Sequence, residues 1–190
     1  EAKEVQVDAQ KEVDEMTGRL VASYLEAKVD EDVIAGYATA LRSDGSFPDL
    51  DYITVYEGSF YPAGSHLKRL KSMAIAYRKP GNKYYNSGKL LKQIVAGIDY
   101  WYKVRPKSGN WWFGDIGAPQ DYMVPLILLK GKISEKKLLH YSSYLRDLTG
   151  NKGHKGKNRT WVSAVTIHKG CIEDNIELIR TGIKSIASPI

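Results

Sequence analysis

Apolar residues recur along most of the chain at steps of three and four positions, which is the spacing of an amphipathic helix. The first series runs from Val13 to Ala27 and carries an acidic polar face. A second helix is predicted to begin after Asp30, a favoured N-cap residue, and to run to Leu41. These two helices are predicted to pair as an αα-hairpin. Helical spacing returns in 67–77, 90–102, 119–129, 134–148 and 160–186, the last interrupted near Glu173.

Glycine and proline separate these series and predict loops between the helices. Residues 43–64 hold five such breakers and are predicted as a structured loop, with a short extended piece allowed at 53–56. Residues 107–117 are predicted as a short loop. Residues 149–157, with three glycines and three lysines, are predicted as an exposed basic loop. Pro125 is expected to bend or shorten its helix.

The predicted fold class is therefore all-α, with residues 1–190 forming a single domain of successive helical hairpins. A hairpin of this size buries too little apolar surface to be stable alone, so such hairpins stack side by side. The result is a bundle, a solenoid or a closed toroid. The spacing of apolar residues does not choose among the three.

The composition favours a globular protein with an acidic partner. The chain is 43% hydrophobic, which excludes wholesale disorder, and no apolar run is long enough to span a membrane. Lysine and arginine total 28 against 22 acidic residues, a net charge of +6. This charge suits nucleic acid, anionic lipid or an acidic polysaccharide, or simply a lysine-rich solvated surface. The basic residues do not line up along one recognition helix, which disfavours nucleic acid.

The sequence lacks the motifs of common metal, cofactor and nucleophile sites. Its four histidines show no His-x-x-x-His spacing, and neither a glycine-rich phosphate loop nor Gly-x-Ser-x-Gly occurs. We therefore expect no metal and no cofactor. The single cysteine, Cys171, is predicted to be a small core residue. His168 and Tyr141 or Tyr144 fall within predicted helices without a supporting motif, so no acid–base role is assigned to them.

The most unusual segment is a glycine-rich run that contains three consecutive aromatic residues, Trp111, Trp112 and Phe113. One of two adjacent indoles must point inward, so part of this segment can belong to the core. The alternative is an aromatic platform, because an indole face stacks on the C–H-rich face of a sugar ring without demanding one hydrogen-bond pattern. Asn110, beside the tryptophans, is positioned to bind sugar hydroxyls or carboxylates.

A second candidate lies where the basic loop leads into the last helical stretch, at Asn158 and Arg159. Asparagine is a favoured N-cap, so Asn158 can simply satisfy the first amides of that helix. The functional alternative makes its amide a neutral donor to an anion. Lys155, Lys157 and Arg159, together with the helix N-terminus, would favour negative charge there.

Four motifs together resemble polysaccharide lyase family 8, the hyaluronate, chondroitin AC and xanthan lyases. They are DGSFPDLDY at 44–52, HLKRL at 66–70, NWW at 110–112 with IGAP at 116–119, and GKN at 156–158. They occur in the family's order and span most of the chain. The family often has glutamate where this chain has Asp115.

The resemblance implies the N-terminal part of an incomplete (α/α) toroid whose cleft binds an acidic polysaccharide. It makes Trp111 and Trp112 the aromatic patch and Asn158 the catalytic asparagine of a β-elimination, in a secreted or periplasmic enzyme. The family's general base and acid, a histidine and a tyrosine, lie further along such chains than Ile190. We therefore expect little activity from this chain alone, and an exposed apolar edge that favours self-association. A non-catalytic helical carbohydrate-binding module is the alternative.

Overall fold

The computed structural model describes residues 2–148 and 153–187, with side chains from residue 6 onward. Within these ranges the chain forms eight α-helices and one π-helical turn, and no strand. The helices are α1 Ala2–Leu25, α2 Glu31–Ala40, α3 Gly64–Arg78, α4 Gly88–Val104, α5 Ala118–Leu128, α6 Glu135–Ser142, α7 Gly156–Ile172 and α8 Ile176–Ala187. The π-helical turn is Phe113–Gly117, immediately before α5.

Local signals set most helix ends where the sequence predicts them. The Asp30 carboxylate accepts the N–H groups of Asp32 and Val33 and so caps α2. The Ser134 hydroxyl accepts the N–H of Lys137 and caps α6. The predicted break near Glu173 is confirmed, since α7 ends at Ile172 and α8 begins at Ile176. Such caps satisfy amides that have no partner within the helix, so they fix the ends independently of the rest of the fold.

Three predicted boundaries are wrong. Helix begins inside the predicted loop 107–117, because the chain is helical from Trp111 onward. Helix α6 ends at Ser142, although Leu145 beyond it is still buried. The basic loop is shorter than predicted, since residues 156 and 157 already belong to α7; residues 149–152 lie outside the described part. The helix α5 continues past Pro125 to Leu128.

The predicted hairpin of the first two helices is also wrong. The helix α1 packs mainly on α7, α8 and α5, while α2 packs on α3. The hydroxyl of Tyr24 near the end of α1 is 2.7 Å from Nε2 of His168 in α7. The apolar face of α1 thus packs against helices that are distant in the sequence. The spacing of apolar residues within α1 predicts such a face but not its partners.

The helix α5 lies at the centre of the core, in contact with α1, α3, α6 and α7. From Tyr122 onward its sequence is apolar on every side, as expected for an enclosed helix. Tyr122, Leu126 and Ile127 have no exposed surface, and neither does Cys171, whose predicted core position is confirmed. Because the π-helical turn leads directly into α5, the tryptophans before it are held next to α7.

A buried hydrogen-bond network attaches the long loop before α3 to the core. The N–H of Phe47 donates to the hydroxyl of Tyr52, which lies 2.9 Å from Nδ1 of His66. His66 Nε2 lies 2.9 Å from the carbonyl oxygen of Gly97 in α4. Since a carbonyl can only accept, Nε2 carries the proton and Nδ1 accepts from Tyr52. Two of the four motifs, 44–52 and 66–70, therefore meet in one structural network.

Among the helices of the described residues, none is long and apolar enough to cross a membrane.

Candidate functional site

The two adjacent tryptophans have different surroundings. Trp111 is 53% exposed, whereas Trp112 is half-buried between other aromatic rings. The ring of Trp112 lies over Gly117, where a Cβ atom would come within 2.6 Å of it. Gly117 therefore provides the space that seats the second indole. The prediction that one of the two rings points inward is confirmed for Trp112, and Trp111 presents the more accessible surface.

Asn110 begins the helical segment that carries the tryptophans. Its Oδ1 accepts the N–H of Trp112 at 3.0 Å, as an N-cap side chain does. Its Nδ2 donates to the carbonyl oxygen of Gly58 at 3.1 Å. These two bonds fix the tryptophan segment to the loop before α3, and they leave Asn110 one further N–H to donate.

Asn158 is not the N-cap of α7, so the capping interpretation is wrong. The N-cap is Lys155, whose side chain makes no capping bond, and Asn158 is the third residue of the helix. Its side chain is half-buried. Within the described part of the chain, no hydrogen bond engages its amide group.

The structure brings the tryptophan segment and the start of α7 together. The ring of Trp111 stacks on His154, with 5.4 Å between centroids and 14° between planes. The ring of Trp112 meets Trp161 of α7 edge-on, at 5.5 Å. Residues three apart on a helix share a face, so Asn158 lies one turn from Trp161, toward the start of α7. Two motifs separated by more than forty residues in the sequence thus lie next to each other in the fold.

Arg159 occupies a different face of α7. Its Nε donates to the hydroxyl of Ser185 in α8 at 3.0 Å. The same face continues through Ser163 and Ile167, which touch Gly182 of α8 so closely that a Cβ there would collide with both. Arg159 thus belongs to the α7–α8 contact, and the structure does not place it against the tryptophans.

A cavity of about 200 Å³ lies on the other side of Trp112. Its polar groups include Lys68, which is exposed, and Asp121, whose pKa is raised by burial although Lys71 and Lys68 oppose the shift. Its aromatic wall is formed by Tyr61, Trp112 and Phe113. The ring of Tyr61 is 5.0 Å from that of Phe113. The cavity therefore combines an aromatic wall with one basic and one acidic side chain.

The family is decided by comparison with known proteins. Residues 25–190 match the profile of polysaccharide lyase family 8, N-terminal alpha-helical domain. The chain belongs to this family.

Known family members are similar over much of this chain but are far longer. A chondroitinase AC from Pedobacter heparinus is 29% identical over 152 residues, which cover 79% of this chain and 22% of that protein. A hyaluronate lyase from Enterococcus faecalis is 30% identical over 112 residues, or 53% and 11%. A solved chondroitinase AC lyase superposes with a TM-score of 0.81 at 25% identity, covering 92% of this chain and 26% of that one.

Both the predicted family and the predicted fold class are confirmed. The fold is all-α over the described residues, and its helical hairpins form part of an incomplete (α/α) toroid. This family-8 chain has Asp115 where the family often has glutamate. The carboxylate of Asp115 accepts a hydrogen bond from the guanidinium of Arg146 at 2.8 Å. That ion pair connects the π-helical turn to the segment that follows α6.

The family-8 site contains residues that the sequence analysis missed. Trp161 and His154 contact the two tryptophans, and Tyr61 and Phe113 form the wall of the cavity. The sequence did contain a signal for Trp161. It lies three positions after Asn158, and residues three apart share one face of a helix. Nothing local indicates Tyr61, because its neighbours come from a segment about fifty residues away.

The histidines and tyrosines left unassigned by the sequence are engaged elsewhere in the fold. His168 is 4% exposed, and burial lowers its pKa to about 4. The hydroxyl of Tyr141 donates to Asp99, and the ring of Tyr144 packs on Tyr122. In residues 2–148 and 153–187, no three histidine, cysteine or acidic side chains are grouped so as to hold a metal ion.

The contact between Gly117 and Trp112 gives a test of how the site is held. Gly117→Ala is expected to destabilise the protein by about 1–3 kcal/mol, because the new methyl group must displace a ring already packed on Trp161. Urea unfolding and the near-ultraviolet circular dichroism of the tryptophans measure both effects. Gly114→Ala in the same turn is the matched control, since no atom lies within 4 Å of its Cβ position. Equal effects of both variants would contradict this packing role.

Proposed function

We propose that residues 1–190 form one helical domain that binds substrate in a secreted or periplasmic polysaccharide lyase. The substrate class is an acidic, uronate-containing polysaccharide of the chondroitin or hyaluronan kind. The observation that carries the proposal is that Trp111 stacks on His154, just before α7, while Trp112 meets Trp161, three positions after Asn158 in α7. The names of the relatives, chondroitinase and hyaluronate lyase, support the same substrate class.

The binding role follows from the exposed ring surface and the charge. Trp111 offers an open indole surface, and dispersion contacts with the C–H-rich face of a pyranose ring make it a stacking partner for sugars. Lys155 and Lys157 are exposed beside the start of α7. The net charge of +6 raises the local concentration of a polyanion. Stacking and long-range attraction together suit a polymer that must move through the site.

The proposed chemistry is β-elimination at a uronate. A base removes the proton α to the carboxylate, the electron pair forms a carbon–carbon double bond, and the glycosidic bond to the β carbon breaks. The leaving oxygen then takes a proton from an acid. Negative charge builds on the carboxylate as the proton leaves, so a donor aimed at that group stabilises the transition state more than the ground state.

Asn158 is the proposed donor. Its amide is neutral, so it does not compete for the proton, and no described residue occupies it. It also lies in the first turn of α7, where the helix dipole favours negative charge. The general base and acid are expected from outside this chain, because His168 and Tyr141 are held in other contacts. We therefore expect the chain to bind substrate but to show little or no activity by itself.

Calorimetric titration with chondroitin, hyaluronan, xanthan and duplex DNA, each at two salt concentrations, tests the binding role. Trp111→Ala is the sharper variant, because Trp111 is exposed whereas loss of Trp112 would also disturb packing. We expect saturable binding of at least one glycan, weakened about tenfold in Trp111→Ala and largely kept in Trp111→Phe, which retains an aromatic face.

Two results would contradict the proposal. One is the absence of glycan binding by the unmodified chain at either salt concentration. The other is equal affinity for DNA with a steep salt dependence, which would indicate a non-specific polyanion surface.

A further inference from the structure

The loop before α3 exposes large apolar side chains next to the site. Ile53 is 91% exposed, Val55 51% and Phe60 60%. Phenylalanine has no polar group that water can hydrogen-bond, so its exposure on an ordered loop costs more than that of tyrosine or tryptophan. Exposed apolar side chains grouped in this way indicate a surface that is covered in the working state.

This loop is firmly attached to the tryptophan segment. The N–H of Gly109 donates to the carbonyl oxygen of Tyr56 at 3.0 Å, and Asn110 donates to that of Gly58 at 3.1 Å. The hydroxyl of Tyr61 donates to the carbonyl oxygen of Pro106 at 2.9 Å. Three bonds along neighbouring residues hold the edge of this loop against residues 106–110, directly before Trp111.

The loop is also internally ordered. The carboxylate of Asp51 accepts the N–H groups of Ile53 and Thr54 and the hydroxyl of Tyr56. The ring of Tyr56 meets that of Phe60 edge-on, with 4.8 Å between centroids. Phe60 is therefore held in place by a neighbouring ring while most of its own surface stays open.

From this arrangement we propose that Phe60, supported by Tyr56, forms a second stacking position for the same polysaccharide chain. The inference rests on the proposed function, since it extends the surface formed by Trp111. A chain that stacks on Trp111 and continues toward the loop before α3 reaches Phe60, and only a sufficiently long oligosaccharide contacts both positions.

Charged side chains of both signs lie at this edge of the loop. Glu57 lies against Gly109, where a Cβ would come within 2.5 Å of its carboxylate, and a uronate next to Glu57 would be repelled. Lys107, two residues before Gly109, is exposed at the same edge, and Lys155 and Lys157 lie at the α7 end of the site. Charge at this edge therefore selects no particular sugar unit, and the proposed contact with Phe60 rests on stacking alone.

A ladder of chondroitin oligosaccharides from disaccharide to octasaccharide, titrated by calorimetry, tests this proposal. Phe60→Ala is expected to weaken octasaccharide binding about three- to tenfold and to leave disaccharide binding unchanged. The loss should be the same at low and high salt, because stacking on the uncharged phenyl ring is not screened. Phe60→Tyr should restore the affinity. Tyr85→Ala, which removes an exposed aromatic ring from another loop, is the matched control.

The outcomes separate this inference from the proposed function. If Trp111→Ala weakens every oligosaccharide and Phe60→Ala weakens none, the second stacking position is refuted and the proposed function stands. If neither variant changes binding, the proposed function fails as well. A dimer in sedimentation that Phe60→Ala dissociates would assign the loop to contact between two copies of the chain and would overturn the proposal.

Discussion

In a full-length lyase that contains this chain, Asn158→Ala is expected to lower kcat about 100- to 1000-fold with little change in KM. The reason is that the amide acts on charge that develops only as the proton leaves the sugar. In the ground state the carboxylate is already solvated or bound by other groups, so loss of the donor affects substrate binding far less. Steady-state rates of formation of the unsaturated uronate product, read by its ultraviolet absorbance, give both constants.

Two further variants sharpen this prediction. Asn158→Asp has nearly the same shape but places a negative charge beside the developing one, so its kcat should fall at least as far as that of the alanine variant. Asn86→Gly is the control, because Asn86 is exposed on another loop and its φ of 53° suits glycine. A rise in KM with kcat preserved in Asn158→Ala would show that the residue contributes only to binding.

Acid is expected to destabilise the fold between about pH 6.5 and pH 4, through two buried histidines. Burial lowers the pKa of His66 and that of His168 to about 4, from an ordinary value near 6.5. In this window the unfolded chain binds protons that the folded chain excludes, so the free energy of unfolding falls as the pH falls. Each histidine accounts for a loss of about 3 kcal/mol, which is complete below pH 4.

Urea unfolding at several pH values measures this linkage. Near the middle of the window, unfolding should take up almost two protons. The free energy of unfolding should then change by about 3 kcal/mol per pH unit. Asp121, whose pKa is raised by burial, opposes the slope at the acid end. The carboxylates of Asp44, Asp49 and Asp51 have a lowered pKa and so contribute at lower pH.

Single substitutions distinguish the two contributions. His168→Gln should reduce the slope by about one proton, whatever it does to stability at neutral pH, because the titrating group is gone. His66→Gln should reduce the slope by about one proton in the same way. A slope that is the same in all three proteins would mean that other groups govern acid unfolding.

Residues with local signals were predictable from the sequence. Asp30 and Ser134 cap their helices through bonds to amides two or three positions away, so nothing else in the fold is needed to foresee them. The start of the helix at Trp111 was missed because glycines surround it. It is stabilised by a bond from the N–H of Trp112 to the Asn110 side chain and by a bond from the N–H of Ala118 in α5 to the carbonyl of Phe113. Glycine-rich segments predict loops only where no such partner exists.

Contacts between distant segments were not predictable. The pairing of α1 with α7 depends on Tyr24 meeting His168, and the proximity of Trp111 to His154 depends on how α5 and α7 pack. The family motifs identified Trp111, Trp112 and Asn158 as candidate site residues without giving their neighbours. The position of Arg159 toward α8 was foreseeable in part, since Arg159, Ser163 and Ile167 share one helix face.

The bond between Tyr24 and His168 bears on where this domain can be cut. The match to the family profile begins at residue 25, one position after Tyr24. Excision at that boundary would remove α1 and leave the Nε2 atom of His168 without its described donor, inside the helix whose first turn carries Asn158. A fragment that keeps this bond is therefore longer than residues 25–190 and includes the helix α1.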